Sequence, residues 1–157
     1  MIVVGAFILQ GPRGVVWDLL HDPDVLVKTL PGGERLIRGA DDTYEGVMRV
    51  GVGPVTAAEF SVTVRLRDKV PPERLHMDVD GKGGIGFTRG TAAVELVEQA
   101  GGATLMKYRA ELLVGGRIAA VGQRLLDAAA KHMTRLGLEA LNRELQARLA
   151  GGGGGAS

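Results

Sequence analysis

The sequence predicts an α+β fold in which an antiparallel sheet is covered by one long helix. Apolar residues recur with period two from Glu34 to Val114, then with a period near 3.6 from Arg117 to Leu149. Turn signals at Asp41-Asp42, Gly53-Pro54, Pro71-Pro72, Gly83-Gly84 and Gly101-Gly102 cut the period-two region into a meander of six strands.

Ile2 to Leu9 reads as a further strand ahead of these. Gly11-Pro12-Arg13-Gly14 breaks it and opens a short amphipathic helix from Val15 to Leu20, with Pro12 suited to a first turn. Asp22 is placed to cap a second short helix that starts at Pro23 and runs through Lys28. Leu30-Pro31-Gly32-Gly33 ends it. In the meander, Met48, Val50 and Val52 alternate with Val47, Arg49 and Gly51, and Phe60, Val62, Val64 and Leu66 alternate with Ser61, Thr63, Arg65 and Arg67. One sheet face is therefore apolar and the other wet.

The long helix would span about 50 Å at 1.5 Å per residue. Counted from Arg117 at 100° per residue, Ile118, Val121, Leu125, Ala129, Met133, Leu136 and Ala140 form the stripe expected to cover the sheet. Beyond Gly137 the apolar positions rotate to Leu138, Leu141, Leu145 and Leu149. Unless the helix kinks at Gly137, this seam is expected to meet a partner protein, a second copy of the chain or a membrane surface. Residues 1–149 read as one domain and 150–157 as a flexible Gly-rich tail.

Composition narrows the function classes. A net charge of +1 argues against binding naked nucleic acid, and one Trp, two Tyr and three Phe make a poor base-stacking platform. The absence of cysteine removes disulfides, thiolate metal sites and cysteine nucleophiles. The first residues lack the basic segment and long apolar core of a signal peptide, and no apolar run reaches spanning length, so a cytoplasmic protein is expected. The glycine-dense stretch from Gly81 to Gly90 runs into the alternating segment Thr91 to Val97 rather than a helix start, which argues against a phosphate loop. A twisted strand pair approached closely by another element fits better.

Catalytic constellations are sparse. The serines are Ser61, on the wet face, and Ser157, in the tail, so no serine triad is credible. His76, Asp78 and Asp80 share one strand face within reach of a divalent cation, but a solvated face is the simpler reading. His132, beside Ala129 and Met133, is a candidate to enter the cavity and hydrogen-bond a ligand carbonyl; the alternative is a core or rim histidine. Tyr108 shares the inward set with Met106, Ala110, Leu112 and Val114 and offers a hydroxyl, or simply fills the core. Met48, Met77, Met106 and Met133 fall on the inner side, where flexible thioether chains suit an adaptable pocket as well as ordinary packing. Arg117, Arg124, Lys131 and Arg135 form a basic stripe suited to anionic lipid, yet Asp127-Lys131, Glu139-Arg143 and Glu144-Arg148 are spaced to pair within a solvated helix face.

Four segments together carry a family resemblance: Leu30-Pro31-Gly32-Gly33-Glu34, Val50-Gly51-Val52-Gly53-Pro54-Val55, Gly81-Lys82-Gly83-Gly84-Ile85-Gly86-Phe87 and Val114-Gly115-Gly116-Arg117-Ile118-Ala119. In this order, over about residues 1–145, the chain resembles the carbon monoxide dehydrogenase G-subunit family of the START-like (polyketide cyclase, Bet v 1-like) superfamily. The resemblance implies a helix-grip fold: a seven-stranded antiparallel sheet wrapped around a long C-terminal helix, with two short helices after the first strand. It also implies a non-catalytic accessory protein with no covalent cofactor, holding a quinone or lipid-like molecule between sheet and helix. Its partners would be a molybdenum-containing carbon monoxide dehydrogenase and, peripherally, the inner face of the membrane. Where many relatives carry Pro-Gly-Cys-Glu, this chain has Pro31-Gly32-Gly33-Glu34, so no thiol role carries over.

The expected cavity lining is Met48, Val50, Val52, Phe60, Val62, Met77, Val79, Met106, Tyr108 and Leu112 from the sheet, with Val121, Leu125, Ala129, His132, Met133 and Leu136 from the helix. The expected rim is Pro31, Gly32 and Gly33 with Gly83, Gly84, Ile85, Gly86 and Phe87, since glycine eases opening. Two other functions fit the same fold. A small cyclase, aromatase or hydrolase would need paired acid–base groups in the cavity, whereas Glu59 and Glu111 point outward by alternation. An adaptor would instead use the seam from Leu138 to Leu149.

Overall fold

The computed structural model describes residues 1–30 and 32–155, without the side chains of residues 56, 57 and 152–155. Pro31, expected at the rim, lies outside the described residues. The chain runs β1 (Ile2–Leu9), α1 (Arg13–Leu19), α2 (Pro23–Thr29), β2 (Gly33–Arg38), β3 (Thr43–Val52), β4 (Val55–Val70), β5 (Arg74–Gly83), β6 (Gly86–Glu98), β7 (Thr104–Gly115) and α3 (Gln123–Gly155). The strands form a seven-stranded antiparallel sheet in the order β1-β7-β6-β5-β4-β3-β2. With α3 across one face, this is the helix-grip α+β fold.

Local chemistry accounts for the joints. Asp22 accepts a hydrogen bond from the Asp24 amide at 2.9 Å, capping α2 ahead of Pro23. Asp41 and Asp42 both adopt φ near 54°, the left-handed region that Asp tolerates, and turn β2 into β3. Gly84 and Ile85 form the tip of the β5–β6 hairpin, beyond the paired Gly83 and Gly86.

The long helix differs from its expected form. Arg117–Val121 is a 3-10 turn, Gly122 breaks it at φ 100°, and α3 begins at Gln123 with the Leu126 amide donating to the Gly122 carbonyl at 3.1 Å. The helical phase therefore restarts at Gly122, where a residue with a side chain would be strained. Leu126, Ala130, Met133, Gly137, Leu141 and Leu145 face inward, while Leu125 and Leu136 are 43% and 42% exposed. At the other end α3 continues to Gly155, into glycines read from sequence as tail.

The expected outward seam is also corrected. Leu141 and Leu145 are buried in the core, and Leu138 and Leu149 pack against it. Their cover is intramolecular: a Cβ on Gly11, which follows β1, would meet Leu149 at 2.9 Å and Leu145 at 3.0 Å. Lys28 of α2 bonds Glu144 at 2.6 Å, and Arg148 reaches Asp22 at 3.0 Å. The packing of α1 and α2 across the end of the sheet is what a one-dimensional helix count misses.

A divided apolar cleft beneath the long helix

Between the sheet and the first half of α3 lies a cleft in two lobes, about 210 Å³ and about 280 Å³, with Met133 and Thr134 lining both. The smaller lobe takes Met48, Val50 and Val52 from β3, Phe60 from β4, Phe87 and Thr88 from β6, Leu112 and Val114 from β7, and Leu126, Ala129 and Ala130 from α3. The larger takes Met77, Ala92, Val94, Met106 and Tyr108 from β5, β6 and β7, Leu20, Leu26 and Thr29 from the helical segment before β2, and Gly137, Leu138 and Leu141 from α3. Neither lobe alone exceeds the low end of the roughly 300–1,000 Å³ of small-molecule sites, but jointly they fall within it.

Larger depressions of about 630 Å³ and 920 Å³ lie over the outer face of the sheet. They are floored by outward, partly charged side chains such as Asp80, Arg89, Arg35 and Glu45. The cleft under α3 is the candidate site because its lining is almost wholly apolar.

Close approach is designed into the backbone. Gly5 faces Tyr108 across β1 and β7, and a Cβ there would lie 2.4 Å from the Tyr108 hydroxyl. The missing side chain leaves room for the ring at the boundary between the cleft and the outside, where Tyr108 lines both. Gly137 has a matching role on α3, whose axis can approach α2 only because no Cβ stands 2.6 Å from the Thr29 carbonyl oxygen.

Among the described residues the polar side-chain groups of the lining are hydroxyls, Thr88, Tyr108, Thr29 and Thr134, and the amino group of Met1, which also borders the smaller lobe, donates to the Leu112 carbonyl at 3.1 Å. Thr134 donates to the Ala130 carbonyl and Thr29 to the Leu26 carbonyl, each at 2.7 Å, so both keep only acceptor capacity toward the cleft. Among the described residues, no carboxylate or imidazole lines either lobe. Glu59 and Glu111 are exposed and paired, Glu59 with Arg49 and Glu111 with Arg109, each at 2.8 Å.

Several expected lining residues lie elsewhere. His132, Leu125 and Leu136 are exposed because the phase of α3 starts at Gln123. Val62 is buried in the core, while Val79 and Val121 pack against it without bordering either lobe. Leu126, Ala130, Thr134 and the α2 contributors were missed, although a count begun at Gly122 would have selected those on α3. At the expected rim, Phe87 lines the smaller lobe, whereas Gly32 and Gly33 border neither. The β5–β6 tip is latched rather than free: the Ile118 amide donates to the Ile85 carbonyl at 2.8 Å and Arg117 to the Gly84 carbonyl at 3.2 Å.

The strand face carrying His76, Asp78 and Asp80 is committed to ion pairs, and no cluster able to hold a metal ion occurs among the described residues. Asp78 accepts from Arg67 at 2.7 Å and 3.1 Å and from Thr91 at 3.1 Å. The Arg67 hydrogen bond holds its carboxyl below the usual range, as the Lys69 hydrogen bond does for Asp42. Burial pushes the Tyr44 phenol up, while its hydroxyl donates to the His21 carbonyl at 3.0 Å. The i,i+4 pairs expected on α3 do not form: Glu144 and Arg148 turn to α2 and its cap, and Asp127 accepts from Gln123 at 2.8 Å.

The fold recurs among solved structures. A conserved protein from Geobacillus kaustophilus is 27% identical, with a TM-score of 0.88 over 94% of this chain and 97% of its own. The Zhui aromatase/cyclase from Streptomyces sp. R1128 is 13% identical, with a TM-score of 0.70 over 95% of both chains. A protein from Thermus thermophilus is 15% identical, with a TM-score of 0.67 over 94% of this chain and 98% of its own. The latter two likenesses concern the fold alone. No curated protein matches the chain. Its sequence matches the family profile CoxG, described as the G subunit of carbon monoxide dehydrogenase, over residues 5–146.

Proposed function

The chain belongs to the CoxG family, the G-subunit family of carbon monoxide dehydrogenase, and on that premise we propose that it is a non-catalytic carrier of a hydrophobic small molecule. The cargo is a quinone or a lipid-like compound held in the cleft under α3. The protein serves a molybdenum-containing carbon monoxide dehydrogenase, either as a quinone carrier or by bringing it to the membrane.

The observation that carries this reading is the lining of the cleft: apolar side chains, including Met48, Met77, Met106 and Met133, with hydroxyls as the only polar side-chain groups among the described residues. Such a surface holds a prenyl or acyl chain without directional chemistry. Burying about 400 Å² of chain contributes roughly 10 kcal/mol gross, from which association costs remove a large part. Thr88 and Tyr108 are the hydroxyls free to donate to a carbonyl, a feature that favours a quinone over a plain hydrocarbon.

Exchange at a bilayer has a candidate surface. Arg124, Lys131 and Arg135 are exposed on the first half of α3 beside the exposed Leu125 and Leu136. A basic face with apolar contacts suits the interface of an anionic membrane. Among the described residues no helix is long and apolar enough to cross one.

The test is incubation with a prenylated naphthoquinone and, separately, with phospholipid, followed by native mass spectrometry and organic extraction. A retained quinone or lipid at one per chain, lost in Met133→Trp, is the expected result. A chain that stays empty with both overturns the carrier reading. A cyclase-type reaction is disfavoured by the absence of an acid–base pair in the described lining.

A further inference from the structure

β1 is an outermost strand and pairs only with β7. Met1 and Leu112 exchange both of their backbone hydrogen bonds, at 3.1 Å and 2.8 Å. By antiparallel alternation Val3, Gly5 and Phe7 then bond toward β7, and the N–H and C=O groups of Ile2, Val4, Ala6 and Ile8 point to the open side. Gln10 continues that phase and shows how the chain treats such groups. Its amide donates to Asn142 at 3.0 Å, and its carbonyl accepts from Gln146 at 2.9 Å. α3 thus seals the edge at Gln10, while the four open positions before it have no backbone partner among the described residues.

Exposed edges are usually guarded by charge, proline or a bulge. At the opposite edge β2 carries Glu34, Arg35 and Arg38. β1 carries no charge and no proline, and Ile2, Val4 and Ile8 are 54%, 66% and 43% exposed. In front of this edge lies a groove of about 660 Å³ whose far wall on α3 presents Lys131, Arg135 and Glu139. Among the described residues neither cation forms an ion pair, the pairs of α3 being made by Glu144 and Arg148.

We propose that the β1 edge receives an extended acidic segment of a partner protein, which adds to the sheet as an eighth strand. The inference is independent of any ligand in the cleft, but it takes Lys131 and Arg135, so a bound segment and an anionic bilayer compete for these two cations. Main-chain hydrogen bonds to Ile2, Val4, Ala6 and Ile8 supply affinity, as in other strand-addition interfaces. Selectivity comes from spacing. Lys131 and Arg135 are four residues apart on α3, about 6 Å, and alternate side chains on one face of a strand are about 6.8 Å apart. Two carboxylates at positions i and i+2 stand opposite the two cations, with aliphatic residues between them on the side of Ile2 and Val4. Glu139, one turn on, excludes a third carboxylate. A second copy of this chain fits less well, because pairing β1 with β1 about Gly5 brings two sets of Lys131 and Arg135 to the same side of the seam.

The test uses a short fluorescent peptide with a Val-Glu-Val-Glu-Val core, its Val-Lys-Val-Lys-Val counterpart, and anisotropy at low and high salt. Val4→Pro deletes one outward N–H and leaves the bonds to β7 in place, a substitution that edge strands accept. The acidic peptide is expected to bind in a salt-sensitive way and to lose about tenfold or more in affinity with Val4→Pro and with Lys131→Glu/Arg135→Glu. The latter variant is expected to gain the basic peptide. If Val4→Pro loses its circular dichroism spectrum, the exchange of peptide preference by the exposed charge reversal carries the test alone. No binding of the acidic peptide, or equal binding by every variant, overturns the proposal. So does a dimer in light scattering that Val4→Pro dissociates, since the edge is then taken by a second copy.

Discussion

Gly137 offers a test in which two known effects oppose each other. In a helix interior, Gly→Ala stabilises by about 1 kcal/mol on propensity alone. Here the added Cβ would sit 2.6 Å from the Thr29 carbonyl oxygen and must move out by at least about 0.6 Å to reach a tolerable contact. The oxygen cannot easily yield, since Thr29 ends α2, which is tied to α3 through Lys28 and Glu144. Separating two packed helices costs about 1–3 kcal/mol, so Gly137→Ala is expected to lose about 1 kcal/mol net, and Gly137→Val more. The matched control is Gly14→Ala in α1, where a Cβ meets nothing within 4 Å and a gain of up to about 1 kcal/mol is expected. Urea denaturation of the three proteins reads the difference directly. A Gly137→Ala variant as stable as the parent, with Gly14→Ala stabilised, would refute the close approach of α3 to α2.

Leu145→Ala removes a side chain that is 0% exposed and is expected to cost about 2–5 kcal/mol in chemical denaturation; a cost below about 0.5 kcal/mol would return Leu145 to an outward seam. His132→Ala is expected to change stability by less than about 0.5 kcal/mol and to leave quinone retention unchanged, because the ring is exposed. Asp78 has a folded pKa below its unfolded value, since Arg67 hydrogen-bonds the carboxylate. Its contribution is therefore fully present above about pH 4 and lost as pH falls through the folded value. Asp78→Asn is expected to be less stable than the parent at neutral pH and to lose less of its urea midpoint between pH 6 and pH 3; equal losses would count against the pairing.

The fold was readable because period two, turn residues and the short-helix caps are local signals. β1 spans the same residues in sequence reading and structure, Ile2–Leu9, and Asp22 caps α2 as its side chain suggests. The sheet half of the cleft was readable for the same reason: alternation puts Met48, Val50, Val52 and Phe60 on one face, and they line the smaller lobe. The helix half was readable only in part: Ala129 and Met133 border the cleft where the stripe placed them, and the rest did not follow. A 3.6 period must be counted from a real start, and a single non-helical glycine, Gly122, moved that start and turned Leu125, His132 and Leu136 to solvent. The ion pairs failed similarly, since Glu144 and Arg148 found partners more than a hundred residues away in α2 and its cap.

The relocation of the Leu138 to Leu149 seam changes the energetic meaning of α3. Its second half is fastened by Leu141 and Leu145 in the core, by Lys28 and Asp22 through ion pairs, and by Asn142 and Gln146 on Gln10. Its first half spans the two lobes with Ala129, Ala130, Met133 and Thr134, side chains that are small or flexible. A helix anchored at one end can cover a recess that its stability does not require to be filled. At about 25 cal/mol per Å² of apolar surface, burial of Leu145 and of the core-facing side of Leu141 secures the helix beyond the smaller lobe. Substitution at Leu145, buried and bordering neither lobe, is therefore expected to act on the fold alone, whereas Leu141 and Met133 border the cleft and, on the carrier reading, substitutions there are expected to act on retention as well.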